Sequence, residues 1–174
     1  MAAAPVFRTT HLVGRRWQPE DFEAVLAVYS NPVAMRWVGD GRPLTREQCR
    51  QWFEVTEANY ARRGYGMFAL TDIATGAVVG CAGLVHPGGQ PEPEVKYALL
   101  QAHWGAGLAT EAVTALLAYG AREHGMARII ATVAEDNEAS QRVLAKAGMG
   151  LVQTRRNEDG STTRVYAWPR PGPA

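Results

Sequence analysis

The chain has 174 residues, 47% of them hydrophobic and 20% charged, with 18 glycines and 10 prolines. That length suits about one domain with a core large enough to stand without disulfide or metal staples, and the composition excludes a fibrous or disordered chain. A net charge of +1 argues against a nucleic-acid partner, and the most apolar stretch, residues 112–121, is too short to cross a bilayer, so no membrane partner is expected either.

Leu12 to Trp17 has strand character. Pro19, Glu20 and Asp21 then suit a first helical turn, and Phe22, Val25, Leu26 and Tyr29 recur at helical spacing until Asn31-Pro32 stops them. Thr45 with Gln48 predicts a capping box for a second helix, which carries Cys49, Trp52, Phe53 and Thr56 on one stripe and ends near Gly64. Three strand-like runs follow, Met67 to Thr71, Val78 to Val85 and Glu94 to Leu99, joined by Ala74-Thr75-Gly76 and by the loop His86 to Pro91. The period then changes. Ala112, Val113, Leu116, Leu117 and Gly120 line one face of a helix over 109–124, with Gly125 as its stop. A short strand over Ile129 to Val133 precedes a helix over 137–147, capped by Asp136 or Asn137. Two strands close the chain, near Leu151 to Thr154 and Thr163 to Trp168, with a turn at Glu158-Asp159-Gly160. The order predicts one α+β domain with a mixed sheet over residues 10–168. Residues 1–9 are expected to extend ahead of it, and the Pro-rich residues 169–174 to fray as a tail. Two cysteines, Cys49 and Cys81, give no disulfide framework. With a start that lacks the pattern of a signal peptide, they point to a reduced, cytoplasmic setting.

The strongest chemical signal is Trp104-Gly105-Ala106-Gly107-Leu108-Ala109-Thr110-Glu111-Ala112, between a strand and the start of a long helix. Glycines and alanines let the backbone approach a ligand, and the free N–H groups of a helix first turn suit a phosphate or pyrophosphate. A dinucleotide-binding turn needs a third glycine where Thr110 stands, although Glu135 or Asp136 after the next strand keeps an NAD-dependent oxidoreductase open. No Walker lysine, metal-ligand cluster or serine-hydrolase elbow occurs, and Cys81 in an apolar strand reads as core.

The run from Trp104 to Ala112 resembles the acetyl-CoA loop of the Gcn5-related N-acetyltransferase (GNAT) superfamily. It takes the form found in the RimJ/RimL-like branch, which carries Trp where the wider superfamily has Arg or Gln. Asn137 with Ser140, Lys146-Ala147-Gly148-Met149, Glu94-Val95-Lys96-Tyr97 and the segment from Leu12 to Asp21 extend the resemblance over about residues 10–168. It implies an α+β GNAT fold. The sheet is then mostly antiparallel, seven-stranded and flanked by about four helices, with a splay between the fourth and fifth strands. It also implies transfer of an acetyl group from acetyl-CoA to a primary amine by direct attack, with both substrates bound and no metal. The amine is either a protein N-terminal α-amine or a small molecule.

On this resemblance Trp104, Gly105, Ala106, Gly107, Leu108, Ala109 and Thr110 hold the cofactor, with the pyrophosphate on the backbone N–H groups. The pantetheine arm lies near Leu99, and Asn137 and Ser140 face the thioester. Many members carry an acidic tyrosine at the position of Leu144; in this branch Ser140 takes that role. Glu94 is the leading base for the amine and His86 the second. His103 is expected to pack or touch the cofactor, and His11 and His124 to lie on the surface. Many relatives are dimers, so a homodimer is expected by analogy alone. A non-catalytic acyl-CoA-binding module is the remaining alternative.

Overall fold

A computed structural model describes residues 3–172. In chain order the elements are β1 (Pro5–Arg8), β2 (Leu12–Arg15), α1 (Phe22–Tyr29), α2 (Pro32–Met35), α3 (Arg46–Arg63), β3 (Met67–Asp72), β4 (Val78–Val85), β5 (Glu94–Leu99), α4 (Leu108–His124), β6 (Ile129–Ala134), α5 (Glu138–Lys146), β7 (Gly150–Arg156) and β8 (Thr162–Trp168). All eight strands lie in one sheet, ordered β1-β2-β3-β4-β5-β6-β8-β7. Every neighbouring pair is antiparallel except β5–β6, the parallel crossover through α4.

Local chemistry accounts for the helix ends. Thr45 accepts the Gln48 N–H and the Gln48 side chain accepts the Thr45 N–H, which completes the expected capping box. Gly64 and Gly125 end α3 and α4 in the left-handed region. Alternation along the strands splits the core into two layers. Phe68, Leu70, Leu84 and Val95 pack against Val113, Leu116 and Leu117 of α4. Met67, Ala69, Cys81 and Ala98 pack against Val25 and Val28 of α1 and Cys49 of α3. The sheet therefore carries α4 on one face and α1 with α3 on the other.

Three departures from expectation have causes visible in the packing. The sheet has eight strands rather than seven, because residues 5–8, read as an extension, pair with β2 and bury Phe7 against Phe68 and Tyr119. Asn31-Pro32 ends α1 but also opens α2, since the Asn31 side chain accepts the Val33 and Ala34 N–H groups. In the segment read as a frayed tail, the Arg170 guanidinium donates to the carbonyls of Ala145 and Met149; residues 173 and 174 lie outside the described residues.

Candidate active site

After β5 the chain makes a 3-10 turn over Gln101–His103 and runs through Trp104 into α4. Gly105 and Gly107 both sit at φ +78°, a left-handed conformation that other residues adopt only under strain. A Cβ at either would meet no heavy atom within 4 Å. Gly107 occupies the helix N-cap without a capping side chain, and the first helical bond runs from the Glu111 N–H to the Gly107 carbonyl. The N–H groups of Leu108, Ala109 and Thr110 therefore have no partner within the helix. The result is an open cradle of amides at the positive end of a 17-residue helix. Glu111 sits in that same first turn, where its charge would oppose an anion. Its carboxylate is instead turned to the β1–β2 turn, against the Thr9 hydroxyl, the His11 N–H at 2.7 Å and the His11 ring at 2.9 Å. Burial works against its charge, but the Thr9 and His11 bonds prevail and hold the carboxyl below its ordinary range.

The expected splay lies between β5 and β6, which share one register pair, Glu94 with Ile130, whereas the other edge of β6 pairs with β8 along its whole length. Leu100 donates to Val79 across β4, so alternation aims the backbone groups of Tyr97 and Leu99 at the opening. The Leu99 carbonyl is taken by the Trp104 indole N–H at 3.0 Å. That leaves the Leu99 N–H as its group facing the splay.

On the α4 side of the sheet, Asn137 caps α5 and accepts the Ser140 N–H at 3.2 Å. The Ser140 hydroxyl lies 2.6 Å from the Tyr97 hydroxyl. In the sequence Tyr97 stands only as the last residue of the Glu94-Val95-Lys96-Tyr97 match, on the face of β5 shared with Val95 and Leu99, and the residue it touches lies 43 positions away. Leu144 is buried in the core, as its apolar character requires.

Glu94 points to the other face. It is only 3% exposed, yet it lines a cleft of about 390 Å3 together with Lys96, Ile130, Thr132, Arg155 and Val165. The Lys96 ammonium stands 3.4 Å from its carboxylate, so a cationic amine can reach that oxygen from the cleft. Pro87 and Gln90 of the loop after β4 line the cleft, while His86 stands beside them, occupied at both nitrogens. Nδ1 lies 2.9 Å from the Gln90 carbonyl and must donate to it, so Nε2, 2.7 Å from the Tyr65 hydroxyl, accepts. Its lone pair is used, which makes His86 a brace for the loop rather than a base.

His11 is exposed, as expected, but His124 is not a plain surface residue: its ring packs on Tyr65 and Tyr119 and bonds the Tyr119 hydroxyl at 2.9 Å. His103 lies half-buried in the 3-10 turn. Trp52, Phe53, Tyr60 and Tyr65 belong to the core, whereas Trp37 stands exposed under the Arg36 guanidinium. Cys81 is buried against the Tyr29 hydroxyl, and burial pushes its thiol up to about 12, which rules it out as a nucleophile near neutral pH. The dinucleotide reading fails on topology, because the sheet has one parallel pair and Glu135 is bound to Arg164 at 3.0 Å. Among the described residues no group of three or more histidine, cysteine or acidic side chains could hold a metal, and no helix is long and apolar enough to cross a membrane.

The family model of the acetyltransferase (GNAT) domain matches residues 11–150. The uncharacterized N-acetyltransferase YoaA of Bacillus subtilis (strain 168) is 29% identical over 174 residues, covering 96% of this chain and 98% of that protein. The crystal structure of an acetyltransferase from Agrobacterium tumefaciens str. C58 superposes with a TM-score of 0.81 at 26% identity, covering 97% and 96% of the two chains. RimL, a ribosomal L7/L12 alpha-N-protein acetyltransferase solved with coenzyme A, shares the fold at a TM-score of 0.80 and 18% identity over 94% of this chain and 97% of its own. The helix-terminal amide cradle, the splayed sheet and the family match agree: the chain belongs to the GNAT acetyltransferases and is an acetyl-CoA-dependent N-acetyltransferase.

Proposed function

We propose that this enzyme acetylates a primary amine, a protein N-terminal α-amine or a small-molecule amine, by direct attack in a ternary complex, as a RimJ/RimL-like member of its family. The observation that carries this reading is the splay. It opens the sheet between the face that holds the cleft beside Glu94 and the face that bears Ser140, which would let two substrates meet there. Acetyl-CoA supplies the activated acetyl group when bound.

The cradle fits its pyrophosphate, because nothing crowds Gly105 or Gly107 and the N–H groups of Leu108, Ala109 and Thr110 are free within the helix. Trp104 and Ala106 complete the loop, and Trp104 ties it to β5 through the Leu99 carbonyl. The Leu99 N–H faces the opening and is placed to steady the thioester oxygen as charge develops on it. Glu94 takes the proton of the attacking amine, directly or through a water. Ser140, its N–H fixed by Asn137, gives a proton to the departing sulfur. Two buried free thiols, Cys49 and Cys81, fit a reducing compartment such as the cytoplasm.

The first test is thermal unfolding with acetyl-CoA, CoA, NAD and NADP in parallel. A ligand at about 100 times its Kd adds about 2.7 kcal/mol, roughly 5–10 °C for a chain of this size. A shift with acetyl-CoA and CoA alone is expected, followed by free-thiol release with a panel of amines: a peptide with a free N-terminus, a free amino acid and a polyamine. Binding without thiol release from any amine would mark a non-catalytic acyl-CoA module instead.

A further inference from the structure

We propose that Tyr97 is the proton source behind Ser140, so that the proton reaching the departing sulfur originates on a phenol of β5 and passes through the serine hydroxyl. The inference deepens the reading of Ser140 given above and rests on it. Its warrant is geometric. The Tyr97 and Ser140 hydroxyls lie 2.6 Å apart, a short and strong O–H···O contact. The two residues come from opposite sides of the opening: Tyr97 from β5, whose backbone faces the splay at that position, and Ser140 from the first turn of α5. Leu144, one turn further along α5, has no proton to give, and no histidine bonds Ser140.

The chemistry asks for such a partner. An alkyl thiol titrates near about 8.5 and a phenol near about 10, so proton passage from phenol to thiolate is close to balanced. A serine hydroxyl acting alone would be left as an alkoxide, a far stronger base than the thiolate it protonates. In the relay the amine lone pair forms the C–N bond and the C–S electron pair leaves on sulfur. Sulfur takes the Ser140 hydroxyl proton while Ser140 takes the Tyr97 proton. The Tyr97 phenolate recovers a proton from water before the next turnover. Burial raises the Tyr97 phenol and the Ser140 bond draws it back, so the phenol holds its proton at neutral pH and is ready to donate.

Tyr97 acts through Ser140 and is therefore a positioning and relay residue. The test uses the full-length enzyme, with acetyl-CoA turnover read by thiol release and the fastest amine of the panel as acceptor. Tyr97→Phe is expected to lower kcat by about 10²-fold, the lower end for a general acid, with little change in the acetyl-CoA KM. Added to Ser140→Ala, it should change kcat by less than about twofold, because the relay is already cut. A fluorinated tyrosine installed at position 97 keeps the ring and fold but is a stronger acid. It should move the alkaline limb of the kcat–pH profile to lower pH. Full kcat in Tyr97→Phe, multiplicative losses in the double variant, or an unmoved alkaline limb would each overturn the relay while leaving Ser140 as the acid. Full kcat in Ser140→Ala would overturn the Ser140 reading itself.

Discussion

Replacing Gly107 by alanine tests the amide cradle without removing any side chain. Gly107 sits at φ +78°, and an added Cβ would meet nothing within 4 Å, so the substitution introduces backbone strain and no clash. The left-handed conformation costs a residue with a Cβ about 1–2 kcal/mol. Residues 105–107 are exposed and, beyond the Trp104 tie to β5, have open surroundings, so the free loop can relax to negative φ at position 107 and shed that strain. Binding must then restore the left-handed turn, and the strain appears as lost affinity, about 5- to 30-fold in the acetyl-CoA Kd. Titration calorimetry with acetyl-CoA reads the Kd, and thermal unfolding checks the fold. Gly160→Ala is the control. Its φ of +85° and open surroundings impose the same strain in the β7–β8 turn, far along the chain from the cradle. Gly160→Ala should leave acetyl-CoA affinity unchanged. A wild-type Kd in folded Gly107→Ala would refute the cradle, and equal losses in both variants would show that the effect is not local.

Three further outcomes are expected. Glu94→Gln keeps the shape of a side chain that is 3% exposed but removes its basicity, so kcat should fall by about 10²–10⁴ while acetyl-CoA affinity, read by calorimetry, is retained. Asn137→Ala removes the cap that accepts the Ser140 N–H; it should cost about 1 kcal/mol, roughly 2–4 °C in Tm, and lower kcat more than it raises the acetyl-CoA KM. Glu111→Gln should lower Tm in a pH-dependent way. The folded carboxyl titrates below its ordinary value of 4.5, so its stabilisation is complete above that value and fades as pH falls through the folded pKa. The Tm gap to wild type should therefore narrow on acidification, and a gap independent of pH would assign it to packing.

Signals contained within a few residues were legible in the sequence. The Thr45–Gln48 capping box, the Gly125 stop and the apolar face of α4 each span a turn or two, and each stands where its residues demand. The cradle was legible for the same reason, since glycine spacing and the following helix are both local. What escaped depends on distant partners. β1 has one deeply buried side chain, Phe7, and its burial depends on Phe68 and Tyr119. His124 looked solvent-facing near a helix end, yet Tyr65 folds over it from 59 positions away. His86 remained a candidate base until the loop closed its Nδ1 onto the Gln90 carbonyl. Tyr97 closes the Glu94-Val95-Lys96-Tyr97 match, but nothing local marks its hydroxyl, whose contact with Ser140 forms only when α5 brings that residue to it.

The proposed proton traffic follows from the pleat of one strand. Glu94 and Tyr97 are three residues apart on β5, an odd separation that sends their side chains to opposite faces of the sheet. The amine must lose a proton and the sulfur must gain one, and the two groups must not exchange protons directly. Glu94 serves the cleft on one face and Tyr97 serves Ser140 on the other, with the backbone between them. A separation of two or four would have put carboxylate and phenol on the same face, where the base could take the acid's proton without any chemistry on substrate. The β5–β6 splay beyond the Glu94–Ile130 pair is where the proposed route between the two faces would run. On this proposal the strand's alternation would keep base and acid apart until both substrates are bound.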